Sequence, residues 1–297
     1  FDGRHNIIKG GSWISCGNEA LSVSRYAFRR HFFQHAGFRY IVSDAPIPAI
    51  GSYYETDVAM SAIAETHFGE DYIGVANFPK AVAELAVQAM VGKPLGKALD
   101  LGCGAGRASF ELARHFAHVT AIDASARIIG MGRQFAETGV LRYALADEGE
   151  LLAYKEKHLS AFGLENLPGS LEFWQGDACN LKPNFTGYDL ILAANLLDRL
   201  YSPAKFLRDV HERLQLGGLL VLASAYAWQT QLTARSEWLG GFKQDGESFT
   251  SLDGLKAVLE PHFRLVQGPL QLPLAQRETR RTFKYSTMET TIWERIA

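Results

Sequence analysis

The chain has 297 residues, 30 Lys plus Arg against 32 Asp plus Glu, and 47% apolar residues. This composition excludes a disordered or low-complexity protein, and a net charge of −2 gives no electrostatic footprint for a nucleic-acid backbone. No apolar run approaches the roughly 20 residues of a membrane span. The three cysteines, Cys16, Cys103 and Cys179, are too scattered for a disulfide framework, so a reducing, cytoplasmic setting is expected. The chain opens on Phe1 rather than Met, from which a longer parent protein is expected.

In chain order, residues 1–48 mix glycine, aromatic and arginine without a helical period and end in the stiff connector Asp44-Ala-Pro46-Ile-Pro48. A domain boundary is expected there, with a second domain over 49–297 that begins with a helical lead over 53–92. The lead reads as a helix over 53–68 stopped by Gly69, then a second helix capped by Asn77 with Val82, Leu85, Ala86, Ala89 and Met90 on one face. Alternation follows: a strand over 97–101, a helix over 105–116, a strand over 119–122 and a helix over 126–138. A long polar segment over 147–168 is expected to hold one helix. Strands over 171–174, 190–193 and 219–223 come next, with a helix over 204–214 between the last two. A helix over 252–259 precedes a strand over 264–267, and 287–294 is rich enough in β-formers to pair with it as an antiparallel hairpin. Strands alternating with helices in this way predict an α/β fold with a parallel sheet covered on both faces.

The most informative stretch is Ala98-Leu-Asp-Leu-Gly-Cys-Gly-Ala-Gly-Arg107, a strand running into a glycine turn and a helix. Gly102, Gly104 and Gly106 let a ligand approach the backbone near exposed helix-start amides. A dinucleotide site would place its third glycine at 107, where this chain has Arg107. Asp100 gives a pyrophosphate no advantage but favours a cofactor carrying an ammonium or sulfonium group. The next strand ends in Asp123-Ala124, where a carboxylate suits the two hydroxyls of a ribose. The third leads to Gly176-Asp177-Ala178, where Asp177 suits the amine of adenine, and the fourth ends at Asn195. Asp189 reads instead as the brace of a neighbouring loop. Cys103 reads as filling the space between two glycines.

These elements, in this order, resemble the class I S-adenosylmethionine-dependent methyltransferases. The resemblance implies a Rossmann-like, mostly parallel seven-stranded sheet with a C-terminal antiparallel hairpin, and S-adenosylmethionine as cofactor. It places Asp100, Gly102, Cys103, Gly104 and Gly106 at the methionine portion, Asp123 and Ala124 at the ribose, Asp177 and Ala178 at the adenine, and Asn195 beside the methyl. The amine-methylating signature Asn-Pro-Pro-Tyr is matched only by its Asn in Asn195-Leu-Leu-Asp198-Arg199, which argues against DNA adenine and protein glutamine as substrates.

Lys9-Gly-Gly-Ser-Trp13, Arg25-Tyr-Ala-Phe-Arg29-Arg30 and Gly37-Phe-Arg39-Tyr resemble the closing segment of the formylglycine-generating and sulfoxide-synthase fold. Such a segment joined to a methyltransferase is similar to the ovothiol-biosynthesis enzymes, as are Gly51-Ser-Tyr-Tyr-Glu55-Thr and His67-Phe-Gly-Glu70. That resemblance implies N-methylation of the imidazole ring of 5-thiohistidine, and an iron-dependent sulfoxide synthase domain preceding residue 1 as partner. His31 and His35 lie in the terminal motif rather than in the family's His-x-x-x-His-x-Glu iron site, so no metal is expected here. Another small-molecule methyltransferase, for histidine or a quinone-type acceptor, and a non-catalytic cofactor-binding module that docks on a synthase domain both remain open.

For chemistry, Asn195 is the first candidate to contact the ring, with Tyr54 and Asp198 beside it. Asp198 is alternatively paired with Arg199 or Arg208. Tyr53, Tyr54 and Glu55 are candidates for ring stacking and the substrate ammonium, and Arg281, with Arg277 or Arg280, for its carboxylate. The competing expectations are packing tyrosines, a solvated arginine face and structural roles for His67 and His211. Trp228 and Trp238 are expected to form a lid or to anchor their loop.

Overall fold

The computed structural model describes residues 5–9, 25–29, 54 and 56–297. Strands β1 (His5–Lys9) and β2 (Arg25–Arg29) pair antiparallel; the other calls on 1–53, together with Glu55, lie outside the described residues. Thr56 begins α1 (Asp57–Phe68) by accepting the Ala59 amide on its side chain at 3.2 Å, so this helix starts later than 53. Asn77 caps α2 (Phe78–Ala89) through the Lys80 amide, as its position predicts. Then come β3 (Lys97–Leu101), α3 (Arg107–Leu112), β4 (His118–Asp123) and α4 (Ala126–Thr138). Helix α3 is shorter than expected because Gly104 and Gly106, at φ 53° and 89°, hold the chain in a turn until Arg107.

The segment expected to hold a helix instead forms a hairpin, β5 (Val140–Glu148) with β6 (Leu151–His158), turning at Gly149 with φ 58°. Its second strand is exposed almost throughout, so its polar residues read as a loop; pairing with β5, not burial, makes it a strand. The remaining elements are β7 (Ser170–Gln175), β8 (Tyr188–Ala194), α5 (Pro203–Asp209), β9 (Leu214–Ser224), a small hairpin of β10 (Phe242–Gln244) and β11 (Glu247–Phe249), α6 (Ser251–Leu259), β12 (Phe263–Arg277) and β13 (Phe283–Arg295). Strand β12 far outruns its predicted length because Pro269 and Pro273 conceal it; as the edge strand it tolerates them.

The central sheet has seven strands in the order β12-β13-β9-β8-β3-β4-β7. The five from β9 to β7 run parallel, and β13 and β12 are antiparallel. Leu99, Leu101, Ile191, Ala193, Leu220 and Leu222 point to one face, packed under Phe206 and Leu207 of α5 and Leu255 and Leu259 of α6. Ala98, Leu190, Leu192, Leu219 and Val221 point to the other, under Val82 and Ala86 of α2 and Ala108 and Leu112 of α3. The chain builds outward from β3 to β4 and β7, then returns to add β8 on the opposite side. That reversal opens a crevice at the carboxyl ends of β3 and β8.

Three additions close over the β3–β4 side of this crevice. Helix α1 docks by the fully buried Phe68, whose ring meets Phe135 edge-on at 4.7 Å and lies 5.5 Å from Phe162; such an anchor contributes about 3–5 kcal/mol. Glu65, one turn back, is 2% exposed and accepts the hydroxyls of Tyr72 and of Tyr143 on β5, with Arg277 of β12 at 3.8 Å. The tips of the β5–β6 and β12–β13 hairpins also meet directly, through Arg277 and Asp147 at 3.3 Å and Arg281 and Glu148 at 2.7 Å. Among the described residues, no helix is long and apolar enough to cross a membrane.

Candidate active site at the carboxyl ends of the strands

After Leu101 the chain turns through Gly102, Gly104 and Gly106, all at positive φ (69°, 53° and 89°), where a side chain would be strained. The turn is tied back to β4 by the Gly102 and Cys103 amides, which both donate to the Ile122 carbonyl. His67 covers it: Nδ1 accepts the Arg107 amide at 3.2 Å, and a Cβ on Gly104 would fall 2.4 Å from Nε2. Burial, with the Arg107 charge adding to it, lowers the His67 pKa to about 3, so the ring is neutral. Cys103 is 2% exposed and its thiol is pushed well up by burial, which keeps it protonated and inert.

Asp100 lies beneath the turn, 3% exposed, accepting the Ser109 hydroxyl at 2.6 Å. Burial raises its pKa to about 7; the Ser109 bond opposes the rise and the nearby Asp123 adds to it. Asp123, at the end of β4, accepts the Gly104 amide at 3.2 Å and the Ser125 amide at 3.0 Å. Its carboxylate therefore shapes the glycine turn as well as offering oxygens to a ligand. The Ala124 carbonyl accepts from Gln175, and Ser125 caps α4 while donating to the Tyr54 carbonyl.

Beyond β7, Asp177 accepts the Cys179 amide at 2.8 Å, starting the short turn that holds Ala178, and accepts the Tyr201 hydroxyl at 3.0 Å. Tyr201 is 55% exposed and places a flat ring beside Asp177. Its place carries no sequence signal, since a lone tyrosine in a loop has no pattern. Asp189 braces the loop before β3, accepting the Gly96 and Lys97 amides at 2.9 Å each, as read from the sequence.

Asn195 leaves β8 at φ 54°, its amide donating to the Ala223 carbonyl. Its Oδ1 is buried and has no hydrogen-bond partner among the described residues. Asp198 is 1% exposed and accepts from the Ser224 hydroxyl at 3.3 Å and the Ala227 amide at 3.1 Å. It therefore ties the β8 exit to the β9 exit, and Arg199 turns away from it to donate to the Tyr54 hydroxyl at 2.8 Å. Burial raises the Tyr54 pKa, with Arg199 opposing, so the phenol stays protonated.

The strand ends thus bring together Asp100, the glycine turn, Asp123, Asp177, Asn195, Asp198 and Tyr54. Arg281 is not among them: it is 70% exposed at a hairpin tip, with Glu148. Arg277 goes to Glu65 and Asp147. Tyr53 and Glu55 lie outside the described residues. Trp228 and Trp238 anchor their loop, stacked at 6.1 Å, with indole donors on Ser251 and the Thr233 carbonyl.

Residues 76–261 match the family model described as Methyltransferase domain. The chain belongs to this methyltransferase family. No curated protein matches its sequence. Among solved structures, an S-adenosylmethionine-dependent methyltransferase from Clostridium acetobutylicum is 14% identical, with 75% of this chain and 93% of that one covered at a TM-score of 0.46. The N-methyltransferase NodS from Bradyrhizobium japonicum, in complex with S-adenosyl-L-homocysteine, is 15% identical, with 81% and 99% covered at a TM-score of 0.46. S-adenosylmethionine is the cofactor that the resemblance of the glycine turn and strand ends implies, and this chain's residues fit it. Three left-handed glycines keep side chains off the turn, and aspartates stand at 100, 123 and 177.

Proposed function

We propose that this methyltransferase transfers a methyl group to a ring nitrogen of a small imidazole amino acid, 5-thiohistidine. The supporting observation is the unpartnered Asn195 Oδ1 at the end of β8. A neutral imidazole carries one N–H and one lone pair. An acceptor that takes the N–H fixes the tautomer and leaves the other nitrogen as the nucleophile. S-adenosylmethionine, when bound, supplies an electrophilic methyl on a cationic sulfur.

The chain's own residues then mostly bind and orient, since an in-line displacement needs alignment above all. Asp123 holds the glycine turn and offers oxygens to hydroxyls; Asp100 supplies negative charge near a cationic centre. Asp198 keeps the β8 and β9 exits in register and so positions Asn195. Tyr54 and Arg199 form one wall of the acceptor side. No strong base is required for a neutral ring.

The resemblance of residues 1–48 to the end of a sulfoxide-synthase domain supports a bifunctional parent acting in a reducing compartment. The decisive experiment incubates the protein with S-adenosylmethionine and 5-thiohistidine, histidine or a quinol and reads mass. One added methyl on 5-thiohistidine is expected. Methylation of histidine or the quinol alone overturns the substrate, and absence of transfer to any acceptor overturns the catalytic reading.

A further inference from the structure

Strands β8 and β9 end side by side, and β13 runs antiparallel past the end of β9. The Asn195 amide bonds to Ala223, and Glu289 of β13 stands directly opposite Ser224 of β9. Asn195, Ser224 and Glu289 therefore lie side by side along one edge of the sheet, on the far side of Asn195 from the glycine turn. Just beyond, Tyr226 adopts φ 50°, an uncommon conformation for a bulky residue, with its amide on the Ser224 hydroxyl at 3.0 Å. This conformation delivers its hydroxyl to Glu289 Oε1 at 3.1 Å. Strain of this kind persists where surrounding structure enforces it and clusters at ligand sites.

Glu289 differs from Glu294, the other glutamate of β13, and from the glutamates of α1 and β5 that meet the β12–β13 hairpin. Glu294 is paired with Lys93 and Arg264, Glu65 faces Arg277, and Glu148 holds Arg281. Glu289 is half-buried, and among the described residues no Lys or Arg lies within ion-pair distance of it. One phenol donor fills only one of roughly four lone-pair positions of a carboxylate. Burial and the Glu289 carboxylate push the Tyr226 pKa up, so the phenol remains a donor and neutralises nothing. A half-buried carboxylate with one phenol donor keeps acceptor positions that a ligand's cation can fill.

We propose that Glu289, held by Tyr226, is the subsite for a cationic amine on the methyl acceptor. The proposal rests on the small-molecule methyltransferase reading and sharpens it. The acceptor's ring lies at Asn195 and its ammonium group reaches along the strand ends to Glu289, while Ser224 and Asp198 hold the span between them. Three N–H donors of a primary ammonium match the free positions on one carboxylate. A neutral or anionic side arm in that place would leave Glu289 unpaired. Glu289 touches the acceptor away from the reacting nitrogen, so its role is specificity.

The test uses the full chain loaded with S-adenosylhomocysteine and two probes, histamine and imidazole-4-propionate, read by calorimetry. Wild-type protein is expected to favour histamine by about tenfold or more, the range of a charge-assisted bond of about 1.5–3 kcal/mol. Glu289→Gln is expected to collapse that preference, and Glu289→Asp to restore part of it. Tyr226→Phe, which keeps the ring, should reduce the preference with less risk to folding. Equal preference in wild type and Glu289→Gln overturns the subsite. In turnover with 5-thiohistidine, the Gln variant should raise KM far more than it lowers kcat; a fall in kcat at constant KM would mean a base and also overturn it. If 5-thiohistidine is not methylated but the histamine preference stands and collapses in the variant, the substrate reading fails and the subsite survives.

Discussion

His67 sits on Gly104: the imidazole Nε2 occupies the place a Gly104 Cβ would need, and Nδ1 receives the amide that opens α3. One residue of the helical lead thus closes the glycine turn from above. The contact makes Gly104 intolerant of even one methyl group. Gly104→Ala should cost about 1–2 kcal/mol from its left-handed backbone alone, displace His67 and weaken S-adenosylmethionine binding by at least tenfold in calorimetry. Wild-type affinity in that variant would show that α1 does not constrain the turn.

The same histidine makes a pH prediction. Its folded pKa is near 3 and its unfolded value near 6.5, so the unfolded chain takes up a proton first as pH falls. Stability should therefore be full above about pH 6.5 and decline below it. The slope is at most the roughly 1.4 kcal/mol per pH unit of one proton, reduced because the ring is partly accessible. Denaturant titrations from pH 7.5 to 5 should show a steeper decline for wild type than for His67→Gln. Parallel slopes would remove His67 from the acid response.

Asp100 makes a pH prediction for ligand binding. Burial holds its pKa near 7, so part of the population is protonated at neutral pH. A cationic cofactor nearby favours the carboxylate and expels that proton. Binding of S-adenosylmethionine should tighten from pH 6 to 8 and release protons in buffers of differing ionisation enthalpy. S-adenosylhomocysteine, which lacks the sulfonium charge, should do so much less. Identical proton release for both ligands would place the positive charge elsewhere.

Asp123 both shapes the turn and faces the ligand, so its loss removes two functions at once. Asp123→Ala should lower S-adenosylmethionine affinity about a hundredfold, on the scale of two charge-assisted hydrogen bonds. Unchanged affinity would withdraw it from the ribose position.

Arg277 and Arg281 separate two kinds of ion pair. Arg281 and Glu148 are 70% and 62% exposed, so Arg281→Ala should change stability by under about 0.5 kcal/mol. Arg277 is 10% exposed and faces Glu65 at 1%, so Arg277→Ala should cost several kcal/mol by leaving a buried carboxylate without its cation. Comparable losses in thermal unfolding would contradict this placement.

The strands carrying the site were legible because each ends in a residue whose chemistry is unusual for a strand end: Asp100 before the glycines, Asp123, Asp177 and Asn195. Strand β3, the Asn77 cap and α4 follow from apolar period and capping residues, which act locally. The β5–β6 hairpin did not, since its second strand owes its form to a neighbour rather than to its own pattern. The place of Arg281 was not legible for the same reason: no local signal says that Glu148 will lie opposite it. Tyr226 and Glu289 carry no local signal because they become neighbours only once β9 and β13 are paired, and Tyr201 meets Asp177 only where the β7 and β8 exits come together.

The tie between α1 and β12 joins distant parts of the chain; Thr66 and Gln276, which hydrogen-bond there, are 210 positions apart. Closing so long a loop is slow relative to forming local turns and helices. The seat of α1, and with it of His67 over the glycine turn, therefore depends on a strand made from the far end of the chain, and loosening β12 would loosen that clasp.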